Sequence, residues 1–276
     1  MADANEELRA LREQIRAARE RVLSLILERE DVLLQQLPQV EADYQLKIGV
    51  YEKKLLEAEL DCRRLKRKCA LAQQAINQGL TATSTVLEAQ LDREFASWQK
   101  KLNQMTQQYL ASVGYWSLMD PMTAHQGREL KTLYRTLVKR LHPDTHPSQS
   151  QELQDLFMAA CNAYRHGDIA LLRSLEVATQ ELDQDSRSFE DSLDSVEDPD
   201  ELEVMLVAAQ AQVDVMEEEL QKAMETPPMP LRDYLEDGAW VAKKVGGLNR
   251  QIRSFEEARD QYQGKFEVMR KAGYVC

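Results

Sequence analysis

Residues 44–76 read YQLKIGVYEKKLLEAELDCRRLKRKCALAQQAI, and the spacing inside that stretch decides the fold. Tyr44, Ile48, Tyr51, Leu55, Ala58, Cys62, Leu65, Cys69, Ala72 and Ile76 alternate steps of four and three without a miss. A helix brings such positions onto one stripe, and a stripe sustained this long is a coiled-coil seam. The basic cluster Arg63-Arg64 and Lys66-Arg67-Lys68 lies between seam positions. It reads as a solvated face or a flank pairing with acids on a neighbouring helix rather than as an anion or nucleic-acid patch.

The same period recurs on both sides. Leu8, Leu11, Ile15, Ala18, Val22 and Leu25 precede Pro38, where a break or tight turn is expected because proline lacks the helical donor. Asn77-Gln78-Gly79 closes the central helix, with Gly79 supplying a left-handed residue. Thr85 and Glu88 read as a capping box for a helix carrying Leu87, Leu91, Phe95, Trp98, Leu102, Met105 and Tyr109. These first three helices can fold back as antiparallel hairpins, and parallel self-association fits the pattern equally. Residues 181–203 are acidic, with Arg187 the one base, and read as a solvated linker or frayed helix. Asp198-Pro199 then starts a helix with Leu202, Leu206, Ala209, Val213, Met216, Leu220 and Ala223 in its seam. Thr226-Pro227-Pro228-Met229-Pro230 stops it. A last helix over about 240–271 carries Val245, Leu248, Ile252, Phe255, Arg259, Tyr262, Phe266 and Met269.

Composition agrees. The 276 residues are 43% hydrophobic and 30% charged, with 10 Gly and 8 Pro, so breakers are scarce. The net charge of −12 disfavours nonspecific binding of the whole chain to nucleic acid or anionic membrane. Cys62, Cys69, Cys161 and Cys276 form no CxxC pair and read as reduced thiols packed as small hydrophobes. No run of 18 apolar residues and no signal peptide is present, so a cytoplasmic location is expected. Gly-rich phosphate loops, nucleophile elbows and HExxH helices are absent, so no catalytic residues and no cofactor are expected and the chain does not read as an enzyme.

A different chemistry lies between the heptad runs. Leu130, Leu133, Leu137 and Leu141 bury one face of a helix with Tyr134 on its flank, and Arg128, Lys131, Arg135, Lys139 and Arg140 crowd the rest. Pro143 disfavours helical geometry at His142, so His142, Pro143 and Asp144 fall in a loop at the end of a basic helix. Ser148 with Gln151 can cap the next helix, on which Leu153, Leu156, Phe157, Ala160 and Tyr164 pack back. Gly167 stops that helix and Asp168 caps a short one through Leu171, Leu172 and Leu175. A metal reading of His142, Asp144 and His146 is poor, because Pro143 and Pro147 prevent helical ligand spacing and no further ligand is near.

This helix, loop and helix resemble the J-domain of DnaJ-type co-chaperones, in the class that keeps only the J-domain and adds its own architecture. The match covers about 115–178 and is specific over 130–165, with Tyr115-Trp116-Ser117-Leu118-Met119-Asp120 as the nearest equivalent of the family's first helix. The resemblance implies that His142, Pro143 and Asp144 contact a DnaK-type chaperone ATPase and stimulate its hydrolysis. It further implies that Lys131, Arg135, Lys139 and Arg140 form the basic docking surface, with Tyr134 a surface-active tyrosine.

The expected architecture is therefore all-α, a J-like helical hairpin inserted between long antiparallel coiled-coil helices. In sequence order it comprises coiled-coil helices at 1–112, broken near 38 and 79, and a J-like domain at 113–180. An acidic linker at 181–198 and a helical, coiled-coil region at 199–276, broken at 226–230, complete it. The expected partners are a DnaK-type ATPase, client proteins and further copies of the chain held by the coiled coils, with no nucleic acid and no membrane. The alternative is a non-catalytic coiled-coil scaffold whose J-like hairpin is degenerate.

Overall fold

The computed structural model describes residues 2–81, 83–118, 122–144, 149–182, 193–273 and 275. The fold is all-α, with no strand element among the described residues. The chain forms two compact units that are interleaved in sequence. The first comprises Met1–Gln39 and Met119–Pro230, the second Val40–Leu118 and Leu231–Cys276. The sequence-order division at 112, 180 and 198 is not the one the contacts make. Its physical cause is that the seams of the N-terminal helices find their partners in the C-terminal third of the chain.

In the first unit, α1 (Ala2–Asp31) pairs with α9 (Pro199–Glu225). Ile15 packs with Leu202, and Val22 and Leu25 join Met216 in a larger core. Arg12 donates to the Val196 carbonyl at 2.7 Å, and Arg29 reaches Glu219 further on. Contacts thus advance together along both helices, which makes the pair parallel and corrects the antiparallel expectation. Asp198 accepts from the Asp200 N–H at 3.0 Å and Pro199 occupies the first turn, as the sequence suggests. Of the expected linker, residues 183–192 lie outside the described residues; beyond them Leu193 is fully buried and Asp194 pairs with Arg16 at 2.5 Å.

Pro38 does not break the chain. Residues Val32–Gln36 are π-helical, with the Leu37 N–H bonded to the Val32 carbonyl, and Leu37–Tyr44 is helix α2. A wider π turn just ahead relieves the clash a proline ring makes with the carbonyl four residues back. A second π-helical turn, Gln45–Gly49, leads into α3 (Val50–Asn77).

In the second unit, α3 packs with three further helices. α4 (Ser84–Glu94) and α5 (Ala96–Leu118) run antiparallel to it, with Leu71 near Leu87 and Leu60 near Leu102. Gly79 takes φ of 71° in the turn between α3 and α4. α11 (Gly238–Lys271) runs parallel to α3, with the Cys69 thiol donating to the Tyr262 carbonyl at 3.3 Å and Phe266 in the same core cluster as Ala72 and Leu87. Short α10 (Arg232–Glu236) precedes it, and its Leu235 carbonyl accepts from Lys47 at 3.2 Å. The seam from Ile48 to Ala72 is buried or half-buried throughout. The expected Thr85–Glu88 capping box does not form. The cap position is Thr83, and Glu88 is drawn instead to Lys68 (2.5 Å) and Arg64 (2.6 Å), while Arg67 holds Glu94 at 2.8 Å. Charge-assisted pairs between two helices outcompete a local cap.

Candidate functional site

The site belongs to the first unit. Helix α6 (Ala124–Leu141) starts with a complete capping box between Thr123 and Gln126 and ends at His142, whose φ of −69° and ψ of 130° are those imposed by the following proline. Helix α7 (Gln151–His166) returns antiparallel. Its cap is Ser150, which accepts from the Leu153 N–H; Ser148, expected in that role, lies outside the described residues together with Thr145 and His146. Gly167 turns the chain at φ of 70°, and Asp168 caps α8 (Ile169–Ala178) through the Leu171 N–H at 2.9 Å.

The helical face of α6 is rotated by one position from the expected stripe. Leu130, Tyr134, Leu137, Val138 and Leu141 are buried, whereas Leu133 is half-buried. Tyr134 is 2% exposed, stacks on Tyr164 with ring centroids 4.0 Å apart, and its hydroxyl lies 3.4 Å from the Cys161 thiol. It is a core residue, which corrects its placement on the docking surface. Arg140 is also withdrawn from that surface. It is 8% exposed, donates to the Glu176 carbonyl at 2.8 Å and to the Thr179 hydroxyl at 3.2 Å, and ties α6 to α8. A buried guanidinium must be bonded in this way, since leaving it unpaired is costly. Lys131, Arg135 and Lys139 remain at the surface, Lys131 paired with Asp31 at 3.2 Å.

The tripeptide is split between interior and surface. Pro143 and Asp144 are exposed, but His142 is 2% exposed, with Phe157 edge-on at 4.9 Å. Its Nδ1 accepts from the Asp144 N–H at 3.1 Å, and its Nε2 lies 3.2 Å from an Arg29 nitrogen and 4.0 Å from Glu30. Arg29 also reaches the Asp144 carboxylate at 3.6 Å, Glu30 at 3.0 Å and Glu219. Gln212 of α9 donates to the Asp144 carbonyl at 3.2 Å. Burial works against the Glu30 carboxylate, but the nearby His142 ring and the Arg29 guanidinium outweigh that and hold its pKa below the usual value. Burial likewise works against the Arg29 cation, and Glu30 and Glu219 more than compensate. Asp31 is held low against burial by Tyr164, Gln36 and Lys131.

Arg29, Glu30, Asp31, Gln212 and Glu219 were not among the expected site residues. The first three have one signal in the sequence, the charged run Glu28-Arg29-Glu30-Asp31 where the heptad run should continue with an apolar residue; Gln212 and Glu219 have none. The place beside α6 and α7 is filled by Val22, Leu25 and Ile26 of α1 and Leu34 of the π turn. The segment expected to supply a first helix for the hairpin, from Tyr115, is instead the end of α5, and residues 119–121 lie outside the described residues.

The second unit has an open cleft of about 640 Å³ among Arg63, Lys66, Arg67, Trp98, Phe255 and Tyr262. Arg63 is paired with Glu59 and Arg67 with Glu94, so its charge is largely neutralised. No helix among the described residues is long and apolar enough to cross a membrane, and no His, Cys, Asp and Glu cluster among them could hold a metal ion. No protein-family model, curated protein or solved structure matches the chain.

Proposed function

We propose that this chain is a non-enzymatic co-chaperone that docks on a DnaK-type chaperone ATPase through the His142–Asp144 loop and stimulates ATP hydrolysis there. The observation carrying this reading is an antiparallel hairpin of α6 and α7 with a basic outer face and His142-Pro143-Asp144 at its tip. Lys131, Arg135 and Lys139 steer toward an acidic partner face, and the loop supplies the contacts that distinguish one ATPase state from another. Tyr134 and Arg140 serve by holding the hairpin together. Because the seams of α1 and α3 are filled by α9 and α11 of the same chain, clients or further copies would use other surfaces.

One feature favours a second reading, a scaffold with a degenerate hairpin: His142 is buried and bonded rather than presented. Single-turnover ATP hydrolysis by a DnaK-type chaperone separates the two. Stimulation by the wild type that is lost in His142→Gln supports the co-chaperone; equal rates with wild type, variant and no added protein support the scaffold.

A further inference from the structure

We propose that Arg29 is an intramolecular latch. The α1–α9 pair holds the His142–Asp144 loop in a closed state that a chaperone ATPase cannot engage, and release of Arg29 switches docking on. The regulatory half of this proposal rests on the co-chaperone reading; the closure itself does not.

One side chain joins three parts of the first unit. Arg29 comes from α1, is braced by Glu219 of α9, and touches the tripeptide at both ends, at His142 Nε2 and at the Asp144 carboxylate. Asp144 therefore already has its cation. Its backbone carbonyl is taken by Gln212, and the neighbouring basic helix is engaged through Lys131 and Asp31. With His142 at 2% exposure, a partner reading that imidazole must first move α1 or the loop.

The closed state is held without being fully satisfied. A neutral imidazole accepts at one nitrogen only. With Nδ1 accepting from the Asp144 N–H, Nε2 of a neutral ring carries the proton, so the Arg29 nitrogen 3.2 Å away faces another donor there. Arg29 Nε, buried, has no acceptor among the described residues. A network with opposed donors is one that a ligand with better partners can open, and a closed fraction lowers apparent affinity in proportion.

The test uses the full chain and two readouts. The first is the rate at which diethyl pyrocarbonate modifies His142, read by peptide mass spectrometry, with exposed His125 and His166 as internal references. The second is single-turnover stimulation of a DnaK-type ATPase at sub-saturating concentration. If nine-tenths of the wild type is closed, Arg29→Gln should raise both by about tenfold. Glu219→Gln should raise both by less, and it carries the test should Arg29→Gln lose helicity. Unchanged His142 modification in both variants overturns the latch, whatever the ATPase does. Faster modification with no gain in stimulation, where the wild type stimulates in a His142-dependent way, overturns its regulatory role. Faster modification with no stimulation by any protein overturns the co-chaperone reading and leaves the closure standing.

Discussion

Glu30 shows how much of the site depends on a single charge. Its native pKa is depressed, so the unfolded chain takes up the proton more readily. The stabilisation is complete above the ordinary carboxylate range and is lost as pH falls from there through the lowered native value. Asp31 contributes in the same sense. Glu30→Gln should therefore flatten the acid limb of stability, followed as the urea midpoint from neutral to acid pH; limbs of equal steepness would sink the assignment. Tyr134 and Arg135 make a second test. Tyr134→Ala should cost about 3–5 kcal/mol in urea unfolding, as for other buried aromatics, whereas Arg135→Ala should stay within about 0.5 kcal/mol. A surface tyrosine would give small effects at both positions. Cys161 follows from the same packing: burial, only partly offset by Tyr134, pushes its thiol up to about 11. Native protein treated with a thiol reagent at mildly alkaline pH should leave Cys161 unmodified until it is unfolded. Of these residues the sequence had Tyr134 on a flank, because a leucine pattern at three-and-four spacing tolerates a phase error of one position. Glu30 was not legible, since its partner His142 lies 112 positions on.

At the scale of elements, period was legible, and direction only where α4 and α5 fold back on α3. Every seam position from Leu8 to Leu25 and from Leu202 to Ala223 is buried or half-buried. A heptad stripe looks the same to a parallel and an antiparallel neighbour, so the parallel courses of α1 with α9 and α3 with α11 could come only from the packing. Helix ends were legible where a side chain or glycine does the work, as at Gly79, Gly167 and Asp198. They failed at Pro38, where a local π turn accommodates the ring, and at Thr85, where ion pairs between helices prevail. Gly167 offers the test at this scale. Its φ of 70° strains any side chain with a Cβ, and that Cβ would stand 3.1 Å from the Met122 methyl, which would have to give by a few tenths of an ångström. Gly167→Ala should destabilise by about 1–2 kcal/mol while the helical signal of the native protein is kept; a neutral effect in thermal melting would mean that the α7–α8 turn can reshape.

For the whole molecule, interleaving sets what can be cut. Removing residues 231–276 takes away α11 and uncovers the α3 seam at Cys62, Cys69 and Ala72, so the loss should exceed one helix. Circular dichroism and limited proteolysis should find the rest of the second unit, including α4 and α5, loosened as well. A remainder that keeps the full helicity and protection of residues 40–118 would contradict this. The all-α class was legible from composition and period, but the division into units was not, because it depends on which seam pairs with which.

The parallel course has a consequence in time. Arg12 and Val196 are 184 residues apart. At ordinary translation rates of about 5–20 residues per second, α1 leaves the ribosome roughly 10–40 s before the helix that covers it has been made. For that interval Leu8, Leu11 and Ile15, whose cluster is completed by Leu193 and Leu202, stand open to water. Newborn chains on one polysome expose the same stripe side by side, so this protein should itself be a demanding passenger of synthesis, needing shelter in its first half-minute.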